Sequence, residues 1–402
     1  MLNKNHMRFI NRRPIERFCK ENNIKYSGVD LDGLVDKLNE ELILNKVSTK
    51  KFEEKLYEWL LQGQKKCIFK YLLNKDLNKL SNYHVAKRMI DKDFKFSKDV
   101  SNIFDLSNNT QESINLIDVK YIYDKNYHNN KIIFFFTYLV YNITKKAGVE
   151  SKTPIALPVH VIIDFNNSEI ISRVSTKTNI YNTNGDFITD IFIGKAMLKF
   201  VANILNLNIN TKEQLEYIKK TIFKVHEKLT ELPQEIYDKI KLIDTKINNF
   251  IHESAKDIEI NITPNNFPEI KNSLENILIK EVLKTYSNKD RSIFTKGKFG
   301  FSTSITAAGR SFSKIQHTSP KQCPIHLLPE YQNTRSILGE TEEINKNIVY
   351  WVSKKKIDKF IRGKLYLDLD EFGIVSFEEY VLEEEINNVF FHIRNLKPQS
   401  WI

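Results

Sequence analysis

The chain has 402 residues, with 61 Lys and Arg against 50 Asp and Glu, a formal net charge of +11. Apolar residues make up 41% and charged residues 28%, enough to build a folded core and too apolar for a disordered chain. The composition excludes collagen, a coiled-coil rod and a disulfide scaffold, and Cys19, Cys67 and Cys323 lie too far apart for a CxxC or zinc spacing.

The charge is segregated. Residues 1–100 hold 22 basic and 14 acidic side chains, residues 291–366 hold 14 and 5, and residues 367–402 hold 2 and 8. The balances are +8, +9 and −6, which leaves 101–290 neutral. Segregated positive charge attracts polyanions and steers their approach. The basic, polar N-terminus does not resemble a signal peptide. The most apolar run, Ile132 to Ile143, is about half of the ~20 residues a membrane helix needs. These features place the protein in the cytosol, or in a nucleus if the host has one, and off the membrane.

In chain order, residues 1–100 read as a basic helical domain. Pro14 suits a first helical position, and Ile15, Phe18 and Cys19 form an apolar stripe. Residues 22–28 carry turn chemistry. A second helix starts near Leu31, with Leu34, Val35, Leu38 and Leu42 on one face. A third starts after the N-cap candidate Ser48 and carries Phe52, Leu56, Trp59, Leu60, Cys67 and Tyr71, with Gly63 as a break point.

Ile15-x-x-Phe18, Asn23-Ile24-Lys25-Tyr26-Ser27-Gly28 and Leu31-x-x-Leu34-Val35-x-x-Leu38 resemble the SAP motif, over about 30 residues. The resemblance implies a helix–extended link–helix module that binds DNA, and it points to Arg12, Arg13, Arg17 and Lys25 as phosphate contacts. The family's basic residue after the glycine is replaced here by Val29-Asp30-Leu31-Asp32, whose acids suit a helix N-terminus and repel phosphate. A plain helical hairpin is the competing reading.

Residues 101–186 read as an antiparallel β-sheet of about four strands: 117–123, 131–143, 156–165 and 169–175. Asn166-Asn167 supplies a tight hairpin turn and residues 182–186 a second turn. Residues 187–290 read as a helical insert. Ile236, Ile240, Ile243, Ile247 and Phe250 step by three or four residues and predict one long amphipathic helix after Pro233. Residues 291–402 read as a β-rich basic region with an acidic tail. The strands expected there are 299–306, 310–315, 348–352 and 364–369, and 378–389 is open between helix and strand. The fold class is therefore α+β, with an N-terminal helical domain, an antiparallel sheet with a helical insert, and a β-rich C-terminal part.

Residues 291–314 interleave Arg291, Lys296, Lys298, Arg310 and Lys314 with Phe294, Phe299, Phe301 and Phe312, among glycines and hydroxyls. Cations reach phosphates and aromatic faces stack on bases. The competing reading is a hairpin whose Phe residues fill a core. Lys354, Lys355, Lys356, Lys359, Arg362 and Lys364 form a second cluster, with 355, 359 and 362 on one face if helical. Asp368 and Asp370 would share one side of a strand, and Asp164 and Glu169 flank a hairpin. Neither pair has the third ligand or the Glu-x-Lys spacing that a metal-dependent nuclease needs. His317, Cys323 and His326 crowd one loop without an orienting acid.

The sequence implies no cofactor, no metal and no catalytic residues. Its leading functional reading is a non-enzymatic nucleic-acid-binding protein that holds duplex DNA through backbone contacts. An adaptor that binds an acidic protein partner, a homo-oligomer and a divergent metal-dependent nuclease are the alternatives.

Overall fold

A computed structural model describes residues 2, 9–10, 12–26, 28–94, 114–146, 149–287, 297–308, 314–319, 323–355 and 359–397. The fold is α+β and divides into two compact units. One comprises residues 1–215 and 370–387, the other 216–369 and 388–402.

The first unit opens with three helices, α1 Arg12–Glu21, α2 Leu31–Ile43 and α3 Thr49–Leu61. The left-handed Asn23 (φ 58°) ends α1, with the Ile24 amide returning to the Cys19 carbonyl at 2.8 Å. Asp30 then caps α2 by accepting from the Gly33 amide at 2.9 Å. The acid that departs from the SAP pattern is thus occupied as an N-cap. Ile15, Phe18, Leu34, Leu38 and Leu42 are buried between the helices, and Phe18, Phe52 and Trp59 meet edge to face. Ser27 lies outside the described residues.

The third helix does not continue to Cys67 and Tyr71, as the sequence predicted. It stops at Leu61, Gly63 turns the chain at φ 115°, and Lys65–Tyr71 forms β1. Two buried lysines disguise this strand. The Lys65 ammonium donates to the Leu60 carbonyl at 2.6 Å and to Ser175 Oγ at 2.7 Å, and that of Lys70 sits 4.8 Å from the Phe372 ring centroid. Helices α4 Asn74–Asn78 and α5 Tyr83–Asp93 follow.

The sheet of this unit adds β2 Ile114–Tyr123, β3 Asn129–Lys146, β4 Val149–Asp164, β5 Glu169–Ser175, β6 Ile180–Tyr181, β7 Phe187–Ile188 and β12 Gly373–Phe377. The order is β7-β6-β3-β4-β5-β1-β12, with β2 also paired to β3, and these pairings are antiparallel. The four expected strands are present, β5 with the expected bounds and the other three longer, and β1 and β12 join them. Helix α6 Asp190–Ile204 packs on β1, β4 and β5. Across the register, Phe135, His160, Arg173 and Cys67 form one row. Arg173, 3% exposed, clamps both carboxylate oxygens of Glu383 at 2.6 Å.

The second unit holds most of α7 Lys212–Thr230, then α8 Gln234–Lys241, α9 Asp244–Asp257, α10 Phe267–Ser287 and α11 Pro329–Thr341, with a 3-10 turn at Ile325–Leu327. The long helix expected after Pro233 is two helices. The break comes at Leu242 and Ile243, which leaves Leu242 and Phe250 exposed while Ile236, Ile240, Ile247 and Ile251 stay buried. The sheet of this unit has β8 Gly300–Ala308, β9 Lys314–Thr318, β10 Ile344–Val352 and β11 Phe360–Leu367, in the order β11-β10-β8-β9, all antiparallel. Helix α11 and β12 were not legible as elements, whereas 378–389 resolves mainly as helix α12, Glu383–Asn395.

The inner face of this second sheet carries Ser302, Ile305, Asn347, Val349, Trp351, Ile361 and Leu365, all buried. Beneath it, His226 Nε2 lies 2.7 Å from the Tyr331 hydroxyl and its Nδ1 lies 3.3 Å from Ser302 Oγ. The Tyr331 hydroxyl donates to Thr230 Oγ1 at 3.3 Å, and Thr230 donates to the His226 carbonyl at 2.9 Å. That order assigns the imidazole proton to Nε2 and leaves Nδ1 to accept from Ser302.

A bulge at Thr303 shifts the β8–β10 register between the pairs Ile348–Ser304 and Val349–Ser302. The extra residue breaks the alternation of β8. Ser304 and Thr306 therefore point outward, as does Phe301, while Ser302 points inward to His226.

Candidate nucleic-acid interface

The outer face of the second sheet gathers residues that are scattered in the sequence. Cross-strand partners project to the same side, and the register sets Thr318, Ser304, Ile348 and Lys364 in one row. Gln316, Thr306, Lys346 and Tyr366 form the next, with Lys314 beyond them on β9. At the other end lie Phe301, Tyr350 and Arg362. Phe301 and Tyr350 stack with centroids 5.3 Å apart at 4°, and the Arg362 guanidinium sits 6.0 Å from the Tyr350 ring.

The face carries four cations, Lys314, Lys346, Arg362 and Lys364, and no position on it in β8 to β11 is acidic. Lys314, Gln316, Thr318 and Arg362 are exposed, and Thr306, Lys346, Lys364 and Tyr366 are half-buried. Ser304 Oγ and Thr318 Oγ1 share a hydrogen bond at 2.9 Å across the strands. Hydroxyls and cations on one sheet face suit phosphate oxygens, and Tyr366 adds a ring beside them.

The structure sorts the sequence candidates. Lys314, Arg362 and Lys364 lie on this face. Phe301 also faces it but is 5% exposed, so its ring is spent on Tyr350 and Phe360 and not open to a base. Lys298 is turned the other way. Its ammonium donates to the carbonyls of Leu229 and Glu231, and burial pushes its pKa down to about 8. Phe299 stacks between Trp351 and His392, with centroids at 5.9 and 4.5 Å. The core-filling reading thus holds for the rings at 299 and 301. Arg291, Lys296, Arg310 and Lys356 lie outside the described residues, as do Phe294 and Phe312.

The second basic cluster is not a helix. Lys354 and Lys355 follow β10, Lys359 precedes β11 and Arg362 lies within it, because Ser353 bonds back to the Lys359 carbonyl at 2.9 Å and closes a strand connection. The shared helical face of 355, 359 and 362 therefore does not form. The Lys354 ammonium sits 5.9 Å from the Phe391 ring. In the N-terminal hairpin Arg12 is engaged by Glu16 at 2.6 Å and by the Val29 carbonyl at 2.9 Å, while Arg13, Arg17 and Lys25 are exposed.

The acidic candidates are also placed. Asp164 pairs with Lys131 at 3.1 Å, and Asp370 with Lys195 at 2.5 Å. Asp368 and Asp370 follow the end of β11 at Leu367, so they do not share a strand face. Among the described residues no cluster of His, Cys, Asp and Glu could hold a metal ion. His317 bonds Thr334 at 2.8 Å, and His326 is buried in the 3-10 turn. Glu383 is held by Arg173, and Glu385 is 8% exposed, so neither is a loose tail acid. No helix among the described residues is long and apolar enough to cross a membrane.

Sequence reasoning missed Lys346, Gln316 and Thr318. The signal lay in the alternation of β10, where Lys346, Ile348 and Tyr350 face one way and Asn347, Val349 and Trp351 the other. Comparison with family models, with curated proteins and with solved structures finds no match to this chain.

Proposed function

We propose that the protein binds nucleic acid without cleaving it, and that the outer face of the β8–β11 sheet is the contact surface. One observation supports this reading above the others: four cations from three strands converge on a sheet face that carries hydroxyls and no acid. A sheet face without a protruding helix suits an extended strand, whose phosphates and bases are both accessible, better than it suits the groove of a duplex. Arg13 and Arg17, four residues apart on the exposed side of α1, give duplex DNA a separate point of contact on the SAP-like hairpin.

The test is the salt dependence of binding. If each of the four cations neutralises one phosphate of a single strand, they contribute a slope of about −2.8 to log K against log salt, at about −0.7 each. A fourfold rise in salt then weakens binding about 50-fold through this face alone. Lys346→Gln with Lys364→Gln should remove about half of that slope. Parallel titrations with duplex DNA, single-stranded DNA and RNA, with and without Mg²⁺, separate the substrates and expose any cleavage. An unchanged slope in the double variant would falsify the assignment of this face.

A further inference from the structure

The first unit carries a cluster of tyrosines that the sheet face does not explain. The β2–β3 hairpin, residues 123–129, is fastened to the start of α5. The Tyr83 amide donates to the Tyr127 carbonyl at 2.8 Å, and the Asn129 amide donates to the Ser81 carbonyl at 2.7 Å. Asn129 Nδ2 adds a bond to the Leu80 carbonyl at 2.8 Å. This fastening brings three rings together. Tyr83 and Tyr123 have centroids 4.5 Å apart, Tyr123 and Tyr127 5.7 Å, and Tyr83 and Tyr127 6.4 Å, with interplanar angles of 32°, 27° and 26°. The three planes are thus close to parallel. His84 approaches Tyr127 at 4.8 Å.

Tyr127 is the informative residue. It takes a left-handed backbone at φ 60°, where glycine and asparagine are at ease and a bulky aromatic is an outlier that costs on the order of 1 kcal/mol. Burial does not offset that cost, because the residue is 48% exposed and Tyr123 is 42% exposed. An aromatic kept in a strained turn, half exposed beside two other tyrosines, suits a contact outside the chain.

The surrounding charge indicates what kind of contact. Lys87 sits 5.9 Å from the Tyr83 ring centroid, and Lys87, Arg88 and Lys125 are exposed. The hairpin's single acid, Asp124, is consumed internally. Its Oδ1 accepts from the amides of Asn126 and His128 at 2.8 and 2.9 Å, and its Oδ2 lies 3.4 Å from His128 Nδ1. Near-parallel exposed rings flanked by cations match a single-stranded nucleic acid, whose unpaired bases stack while its phosphates reach the lysines.

We infer that Tyr83, Tyr123 and Tyr127 form a stacking platform for unpaired bases of a single strand. This rests on the nucleic-acid reading above and adds a base-dependent contact to a phosphate-dependent one. The platform lies on the first unit and shares no residue with the sheet face of the second.

The experiment compares a thymidine strand of about twelve nucleotides with an abasic phosphodiester of the same length. The variant is Tyr123→Thr with Tyr127→Asn. Threonine suits an exposed strand position and asparagine relieves the left-handed turn, so thermal melting should be unchanged or raised. The variant should bind the thymidine strand about tenfold more weakly or worse, with its affinity for the abasic strand unchanged. The Lys346→Gln, Lys364→Gln variant should weaken both strands alike. If the tyrosine variant keeps the full preference for the thymidine strand, or loses affinity for both strands equally, the platform is refuted and the sheet face stands. If the unmodified protein binds neither strand, both readings fall.

Discussion

Acid should unfold this protein through its buried histidines, and His226 gives the size of the effect. It is 1% exposed, and burial, with the Arg335 charge beside it, pushes its pKa down to about 3. An unfolded histidine titrates near 6.5. The folded pKa is the lower one, so the stabilisation is complete above about pH 6.5 and is lost as pH falls towards 3. Once the unfolded state holds the extra proton, each pH unit costs about 1.4 kcal/mol, and the loss between pH 7 and pH 5 is about 2 kcal/mol for this one group. His160 and His326, both 0% exposed, are lowered for the same first reason and add losses of the same sign. Urea midpoints measured at several pH values would show the decline. His226→Gln keeps an amide that can donate to Tyr331 but cannot take up the proton. Its stability should start lower at pH 7 and fall less steeply, by about one proton's slope. Equal slopes in the two proteins would mean that His226 already carries the proton in the fold or reaches water, and the hydrogen-bond order from Ser302 to Thr230 would be wrong.

Two further outcomes follow from buried charge. Lys298→Ala should cost about 1–3 kcal/mol of stability, because it strips a donor from the Leu229 and Glu231 carbonyls, while the salt slope of nucleic-acid binding stays the same; a changed slope with unchanged melting would return Lys298 to the interface. Arg173→Ala should cost about 3–5 kcal/mol, since Glu383 loses both of its 2.6 Å bonds, and Arg173→Lys should rescue part of this, because a single nitrogen, Nη1, makes both of those bonds while the separate Nη2 bond to Asn387 is lost; calorimetry that shows no rescue by lysine would refute the single-nitrogen contact.

The parts of the fold legible in the sequence were those whose local pattern and tertiary role agree. Strands β3, β4 and β5 alternate or run apolar between asparagine turns, and Asp30 and Ser48 sit where helices begin. Strand β1 was illegible because three of its seven residues are lysines that read as surface, and only the fold supplies the Leu60 carbonyl and Ser175 hydroxyl that accept from Lys65. The helix after Pro233 was overextended because its apolar step continues through Ile243, and nothing local marks the break. The candidate face was half visible. Charge segregation pointed to residues 291–366, but which lysines share a face depends on pairing. Lys314, Lys346 and Lys364 lie on separate strands and become neighbours only through register. Lys298, in the same basic run, turns inward because the carbonyls at the end of α7 need a donor.

The bulge at Thr303 lets β8 carry one residue more than β10 matches. Ser302 opposes Val349 and Ser304 opposes Ile348, which are consecutive on β10, so the strand is in phase on both sides of the surplus residue. Removing Thr303 would leave Phe301 against Tyr350 and Ser302 beneath the sheet at His226, and would cost the bond from Thr303 Oγ1 to the Ile348 carbonyl and the local kink. Straightening the strand with Thr303 kept is the harmful change, because a regular pleat would then turn Ser302 outward and Phe301 towards the core. The irregular position is therefore where β8 can shed a residue without altering what either face displays.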